Sequence, residues 1–263
     1  MPVKTDSILK IDNISLSFGG VKALTEVSLE VREGEILSII GPNGAGKTCV
    51  INCINRFYKP QSGSITFKGR ELTRMYSYQI ARAGIARTFQ NIGLFGYLSV
   101  LENLIAGRHC FMTSGFRGAV VDSIYIGKAA KEEAESRRIA EEIIEFLQIG
   151  NIRNSLVGTL PYGLRKRVEL GRALALKPEI LILDEPLTGM NLDEKQDMVR
   201  FILDIHKNRI HTIILIEHDM GVVMDISHRI VVLDFGKKIA DGTPDQVKAD
   251  PLVIEAYLGG AVE

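Results

Sequence analysis

No stretch of this 263-residue chain is long and apolar enough to cross a bilayer. The longest apolar runs, Ile180-Leu181-Ile182-Leu183 and Thr212-Ile213-Ile214-Leu215-Ile216, are strand-sized, far short of the roughly 20 residues a membrane helix needs. Excess charge is missing too: 32 basic residues balance 32 acidic ones, so no global field draws the chain toward nucleic acid or anionic lipid. Cysteine is scarce. Cys49, Cys53 and Cys110 are odd in number, lack paired zinc-type spacing, and fit free thiols in a reducing compartment. Cys49 and Cys53 lie one helical turn apart, a spacing that suits core packing. Residues Met1 to Asp6 hold no apolar signal core, which predicts that the protein stays in the compartment where it is made. With no internal repeat, no low-complexity linker and 46% hydrophobic residues, a folded chain is expected rather than a disordered one.

The pattern of apolar residues then sets the elements. Ile8 to Ile11, Ser15 to Phe18 and Val27 to Val31 alternate as half-buried antiparallel strands do, with a Gly19-Gly20 turn between them, and Ser62 to Phe67 adds a further strand. Glu35 to Ile40 is a buried strand, followed by a loop and a helix to about Asn55, and a short strand is expected over Ile85 to Gln90. Residues 107 to 127 read as irregular, and Lys128 to Leu147 as a surface helix with an apolar stripe of Ile139, Ile143, Ile144 and Leu147 opposite a charged face. The second half alternates: a basic helix from about Leu164 to Leu176, a strand at Ile180 to Leu183, a helix from about Glu194 to Asn208 and a strand at Thr212 to Ile216. Alternation of this kind predicts a parallel sheet with crossover helices. A strand at Arg229 to Leu233, a turn at Asp234 to Lys237 and a return strand form a terminal hairpin, after which Thr243-Pro244 starts a helix.

Chemistry enters at Gly41-Pro42-Asn43-Gly44-Ala45-Gly46-Lys47-Thr48, a complete phosphate-binding loop at the end of the buried strand, with Cys49 directly after it. Glycines let successive backbone N–H groups turn inward around the phosphates, Lys47 reaches the β- and γ-phosphates, and the Thr48 hydroxyl is placed to ligate Mg²⁺. The helix opening at Gly46 to Thr48 turns its positive dipole end to the same anion. The expected ligand is a nucleoside triphosphate. Ile180 to Leu183 runs into Asp184-Glu185, two carboxylates at the carboxyl edge of the sheet: Asp184 is expected to hold Mg²⁺ and Glu185 to polarise the attacking water as general base. Two acids after a strand also occur in helix-capping turns, and the phosphate loop is what favours the catalytic reading. His218 follows the strand Thr212 to Ile216, where an imidazole can donate to the γ-phosphate or orient the water. Gln90 can offer its amide oxygen to Mg²⁺ or to the water.

The phosphate loop, Gln90, Asp184-Glu185 and His218, in that order, resemble the ATPase subunit of an ABC transporter, and the resemblance covers essentially the whole chain. It implies an α/β fold, a RecA-like P-loop NTPase core with an antiparallel β subdomain and an α-helical subdomain, and two such subunits sandwiching two ATP molecules. Residues 1–263 then form a single ABC ATPase domain, with about 1–90 and 171–263 as catalytic core and β subdomain and 91–170 as helical subdomain. It also implies that Phe18 stacks on adenine, the alternative being a buried core aromatic at a strand end. Leu160-Pro161-Tyr162-Gly163-Leu164 corresponds to the family signature Leu-Ser-Gly-Gly-Gln, of which only the first Leu and the second Gly survive. Pro161 supplies neither a hydroxyl nor a backbone N–H. Gly163 and the following helix can still approach the other subunit's phosphates, so the trans contact is expected to be weakened rather than lost. Asn191 stands where the family usually has Asp.

These departures, with Arg87 to Phe95, Val100-Leu101-Glu102-Asn103, an insertion at 107 to 138 and an ending Gly242-Thr243-Pro244 through Gly259, resemble the larger ATPase of branched-chain amino-acid importers. That branch implies transmembrane permease partners, a second ABC ATPase subunit as hetero- or homodimer, an extracytoplasmic solute-binding protein acting indirectly, and a place on the cytoplasmic face of the cell membrane, with no nucleic acid. A lipid or lipopolysaccharide exporter ATPase, a soluble ABC ATPase acting on ribosomes or DNA, and a small-molecule kinase built on the same loop are the alternatives.

Overall fold

Strands near the N-terminus alternate because only one of their faces is covered. The computed structural model describes residues 6–89, 92–111 and 122–258, with backbone alone for 122–129 and 258. Strand β1 (Ser7–Phe18) pairs with β2 (Val21–Arg32) across Gly19 and Gly20, whose φ values of 50° and 92° suit the tight hairpin turn. With β4 (Ser62–Phe67) and β5 (Arg70–Glu71) they form an antiparallel sheet in the order β2-β1-β4-β5. Sequence patterning separates Ile8 to Ile11 from Ser15 to Phe18, whereas the structure joins them. The joint is a bulge: Asn13 sits at φ 49° and donates its amide to Ser28 Oγ at 2.8 Å, while Glu26, at φ 52°, donates to Ser15 Oγ at 3.0 Å. Hydroxyls on the neighbouring strand replace the ladder bonds that a bulge loses.

In a second sheet β3 (Ile36–Ile40), β6 (Ile85–Arg87), β7 (Ile180–Asp184), β8 (Thr212–Ile216) and β9 (Arg229–Asp234) are parallel, and β10 (Lys237–Gly242) returns antiparallel to β9. Their order across the sheet is β10-β9-β3-β8-β7-β6. Every residue of β3, β7 and β8 is buried, as strands covered on both faces must be. Their period of two divides them between separate cores. Ile180, Ile182, Ile214 and Ile216 pack with the antiparallel sheet and helix α1 (Lys47–Ile54). Leu181, Leu183, Ile213 and Leu215 pack with α3 (Val100–Gly107), α4 (Asp122–Phe146), α5 (Tyr162–Leu174) and α6 (Leu192–Asn208). A smaller cluster joins the end of β3 and β9 to the C-terminal helices: Ile40, Ile230 and Val232 meet Val223 of α7 (Met220–Ile226), Val247 of α8 (Pro244–Ala249) and Val253 of α9 (Pro251–Leu258).

Several boundaries differ from the sequence expectation. Helix α4 begins at Asp122 rather than Lys128, α5 at Tyr162 rather than Leu164, and α6 at Leu192, where Asn191 and Glu194 form a reciprocal capping box. Strand β6 ends at Arg87, although the Thr88 amide still donates to Ile182 O at 2.9 Å; Gln90 lies outside the described residues. Helices α2 (Ser77–Ala83), α3, α7 and α9 have no counterpart in the expectation, because each spans only seven or eight residues, too few to show a clear period. The Thr243-Pro244 start of α8 is observed, with Thr243 as N-cap and Pro at the first turn.

Candidate active site

Strand β3 delivers Gly41 to Thr48 at its carboxyl end, and two contacts explain the glycines there. Gly46 caps α1 at φ 99°, and a Cβ on it would lie 2.7 Å from Ala23 O and 2.9 Å from Leu24 Cδ2. Gly41 is pressed against Leu233 O, with no room for a side chain. The loop is braced from behind by the β9–β10 turn, where Gly236 donates its amide to Ala45 O at 3.1 Å and accepts from Thr25 at 2.8 Å. Lys47 folds back over the loop, donating to Gly41 O at 2.7 Å and Pro42 O at 2.9 Å. Burial lowers its ammonium pKa, against the opposing pull of Glu185 and Asp184. Pro42, Asn43, Gly44 and Ala45 line one side of a cavity of about 750 Å³ whose other side includes Phe235 and Leu252.

Asp184 and Glu185 leave the neighbouring strand β7 with different surroundings. Asp184 is fully buried; its Oδ2 accepts from Arg87 Nη2 at 2.7 Å, and its Oδ1 has no hydrogen-bond partner among the described residues. Glu185 turns out of the strand at φ 49°, a left-handed conformation that is costly for a residue with a side chain, and its amide donates to Ile216 O at 2.9 Å. That turn brings its carboxylate to His218: Glu185 Oε1 and His218 Nε2 are 2.7 Å apart. Thr188 Oγ1 donates to Glu185 Oε2 at 3.3 Å. The two loops are tied together by Glu217, which accepts from the Leu187 amide at 2.7 Å and the His218 amide at 3.0 Å; burial raises its carboxyl pKa.

Other expected residues stand apart from this group. Phe18 is 46% exposed at the end of β1, with its ring 4.9 Å from that of Tyr58 in an edge-to-face arrangement, so the buried-core alternative does not hold. Leu160 is buried, Pro161 is exposed and caps α5 without a side-chain hydrogen bond, and Tyr162 is half-buried. Gly163 abuts the Glu194 carboxylate, and a Cβ on Gly189 would lie 2.9 Å from the Tyr162 ring. Asn191 is occupied as a cap, its side chain accepting from the Glu194 amide at 2.9 Å. Thr48 is half-buried in the first turn of α1. Cys49 packs half-buried against the core, and Cys53 is buried with its thiol pushed up to about 12, both as burial dictates.

Sequence reasoning missed Arg87, Glu169, Glu217 and Tyr58. Glu169, on α5, accepts from the Phe89 amide at 3.1 Å and the Gly93 amide at 3.5 Å, and so holds both flanks of the segment that contains Gln90. The contacts Arg87–Asp184, Glu169–Phe89, Glu217–Leu187 and Phe18–Tyr58 all join residues far apart in the sequence, and no local pattern marks them.

The donor set is chemically suited to a metal-bound triphosphate. A hydroxyl at Thr48 and, among the described residues, an unpartnered buried carboxylate oxygen at Asp184 are hard oxygen donors of the kind Mg²⁺ prefers, and the loop offers a lysine for anionic oxygens. Comparison with known proteins agrees with this geometry. Residues 24–188 match the model of the ABC transporter family, and residues 237–263 match that of the branched-chain amino acid ATP-binding cassette transporter family. The chain is 39% identical to the high-affinity branched-chain amino acid transport ATP-binding protein BraF of Pseudomonas aeruginosa, over 97% of this chain and 98% of that one. It is 40% identical to the corresponding protein LivG of Escherichia coli, with the same coverage of 97% and 98%. Among solved structures, an ATP-binding cassette of an ABC transporter in its ADP conformation superposes with a TM-score of 0.82 at 34% identity, covering 97% of this chain and 100% of the other. The chain belongs to the ABC transporter family, as an ATP-binding cassette ATPase of the group that contains the branched-chain amino acid transport ATP-binding proteins.

Proposed function

We propose that this chain is the ATP-hydrolysing subunit of an importer for branched-chain amino acids. The observation that carries the reading is the Glu185–His218 contact of 2.7 Å at the ends of β7 and β8, beside a complete phosphate loop. Main-chain N–H groups of the phosphate loop from Asn43 to Thr48 and the Lys47 ammonium grip the triphosphate, and Phe18 stacks on adenine. Glu185 takes the proton of the attacking water as its oxygen bonds to the γ-phosphorus and the bond from that phosphorus to the bridging oxygen breaks, releasing ADP and phosphate, while His218 Nε2, 2.7 Å from Glu185 Oε1, holds the carboxylate in place. Thr48, Asp184 and Gln90 would hold Mg²⁺, which when bound neutralises charge on the β- and γ-phosphates.

The names of the relatives support branched-chain amino acids as the solute class. Among the described residues no helix is long and apolar enough to cross a membrane, so the solute path belongs to partner permeases. Residues 91–170 act as the helical subdomain and 1–90 with 171–263 as the core; closure of two ATPase subunits is passed through residues 90 to 105 to the permeases at the cytoplasmic face. Leu160, Pro161, Tyr162 and Gly163 face the partner's nucleotide with a weakened contact, and a solute-binding protein delivers cargo from the other side. Purification of the tagged protein from gently solubilised membranes tests this. Two permeases and a different ATPase are the expected companions; ribosomal or DNA-repair proteins, or lipid-export components, would overturn the importer assignment.

A further inference from the structure

Asp184 is held from one side by a residue to which the family resemblance assigns no role. Arg87, at the end of β6, has a side chain only 7% exposed, and its Nη2 donates to Asp184 Oδ2 at 2.7 Å. Its second arm, Nη1, donates to Asn52 Oδ1 at 2.6 Å. The guanidinium packs against two rings that meet edge to face, 5.3 Å from the centroid of Phe89 and 6.0 Å from that of Phe57. Two forked bonds and the aromatic pair beside it fix its orientation, a geometry that a lysine cannot reproduce.

Asn52 gives that orientation a consequence. It lies on α1 four residues after Thr48, so the two share one face of the helix. One guanidinium therefore registers the Thr48 face of the phosphate-loop helix against the end of β7, and with it the two oxygen donors suited to a divalent cation. It also occupies Asp184 Oδ2, leaving Oδ1 as the acceptor with no partner among the described residues.

We propose that Arg87 is a positioning residue for the metal site, bridging Asn52 and Asp184 so that Thr48 and Asp184 are set for a hard divalent cation carried with the triphosphate. This rests on the reading of Asp184 as a metal-side carboxylate. Outer-shell partners of metal ligands change metal affinity by about 10- to 100-fold when removed, which sets the scale.

The test is Mn²⁺ binding to the ADP-loaded protein, followed by electron paramagnetic resonance, alongside ADP affinity in excess chelator. Arg87→Lys and Arg87→Gln are expected to weaken Mn²⁺ by about tenfold or more and to leave metal-free ADP affinity within about twofold. Asn52→Ala, which keeps the Arg87–Asp184 pair, is expected to weaken Mn²⁺ in the same direction but less. In an Asp184→Asn background, Arg87→Gln is expected to add nothing further, because it acts through that carboxylate. If Asp184→Asn leaves Mn²⁺ affinity unmoved, the metal reading of Asp184 fails. If Asp184→Asn weakens Mn²⁺ but Arg87→Lys and Asn52→Ala do not, or the double variant is additive, the assignment of Arg87 is overturned. Should Arg87→Gln fold poorly, Arg87→Lys and Asn52→Ala decide the matter.

Discussion

Replacing Glu185 by Gln isolates the proton acceptor from everything else the side chain does. The variant keeps the shape of a side chain that is 11% exposed, and its amide can still bond to His218 across the 2.7 Å contact, so fold and loop position are expected to hold. What disappears is the acceptor for the water's proton. General-base assistance contributes about 10²- to 10⁴-fold, and at about 1.36 kcal/mol per factor of ten this raises the barrier by about 2.7 to 5.4 kcal/mol. ATP binding moves the other way or not at all: Lys47 loses one of the two carboxylates that attract it, and the incoming triphosphate loses a repelling neighbour. The measurement pairs single-turnover phosphate release with ATP affinity by calorimetry, on parent and variant at equal thermal stability. A rate within about threefold of the parent would refute the base assignment. Loss of ATP affinity together with thermal stability would instead make Glu185 a structural residue, and the chemical argument would be wrong.

Phe18→Ala is expected to weaken ATP by about 1 to 3 kcal/mol while leaving tripolyphosphate binding unchanged, since only adenine would stack on the ring; equal losses for both ligands would exclude stacking. Gly46→Ala forces a side chain into φ 99° and against Ala23 O, so the urea midpoint is expected to fall by the equivalent of about 1 to 3 kcal/mol, and an unchanged midpoint would contradict the strain. Burial lowers the pKa of His206, whose ring lies 5.1 Å from that of His228. The unfolded chain therefore binds the proton more readily, and stability present above the ordinary histidine value of 6.5 is lost as pH falls below it. His206→Phe should flatten the fall in melting temperature between about pH 6.5 and 5 relative to the parent, and parallel curves would sink that attribution.

What the sequence made legible was local. The phosphate loop, the strand that ends in Asp184-Glu185 and the strand before His218 each declare themselves within eight residues or so, because loop chemistry and strand burial are decided by near neighbours. The parallel sheet followed from the alternation of helix and strand in the second half. Arg87 and Asp184, by contrast, are 97 residues apart, and Phe89 and Glu169 are 80 apart; nothing in the spacing announces either contact. The short helices escaped for a different reason, since seven or eight residues carry too few turns to separate an amphipathic period from chance. The bulge at Asn13 was invisible because its ladder bonds are supplied by Ser28 and Ser15, residues whose hydroxyls have no reason to stand out.

Described residues of the segment that matches the branched-chain family model, 237–263, pack behind the phosphate loop. Val247 and Val253 belong to the same packed cluster as Ile40, the residue from which the loop springs, and the turn just before that segment pins Ala45 from beneath. The helices of the tail and the strand that carries the phosphate loop therefore share one small core, so a substitution that empties Val247 or Val253 is expected to reach the loop through Ile40 without touching any loop residue.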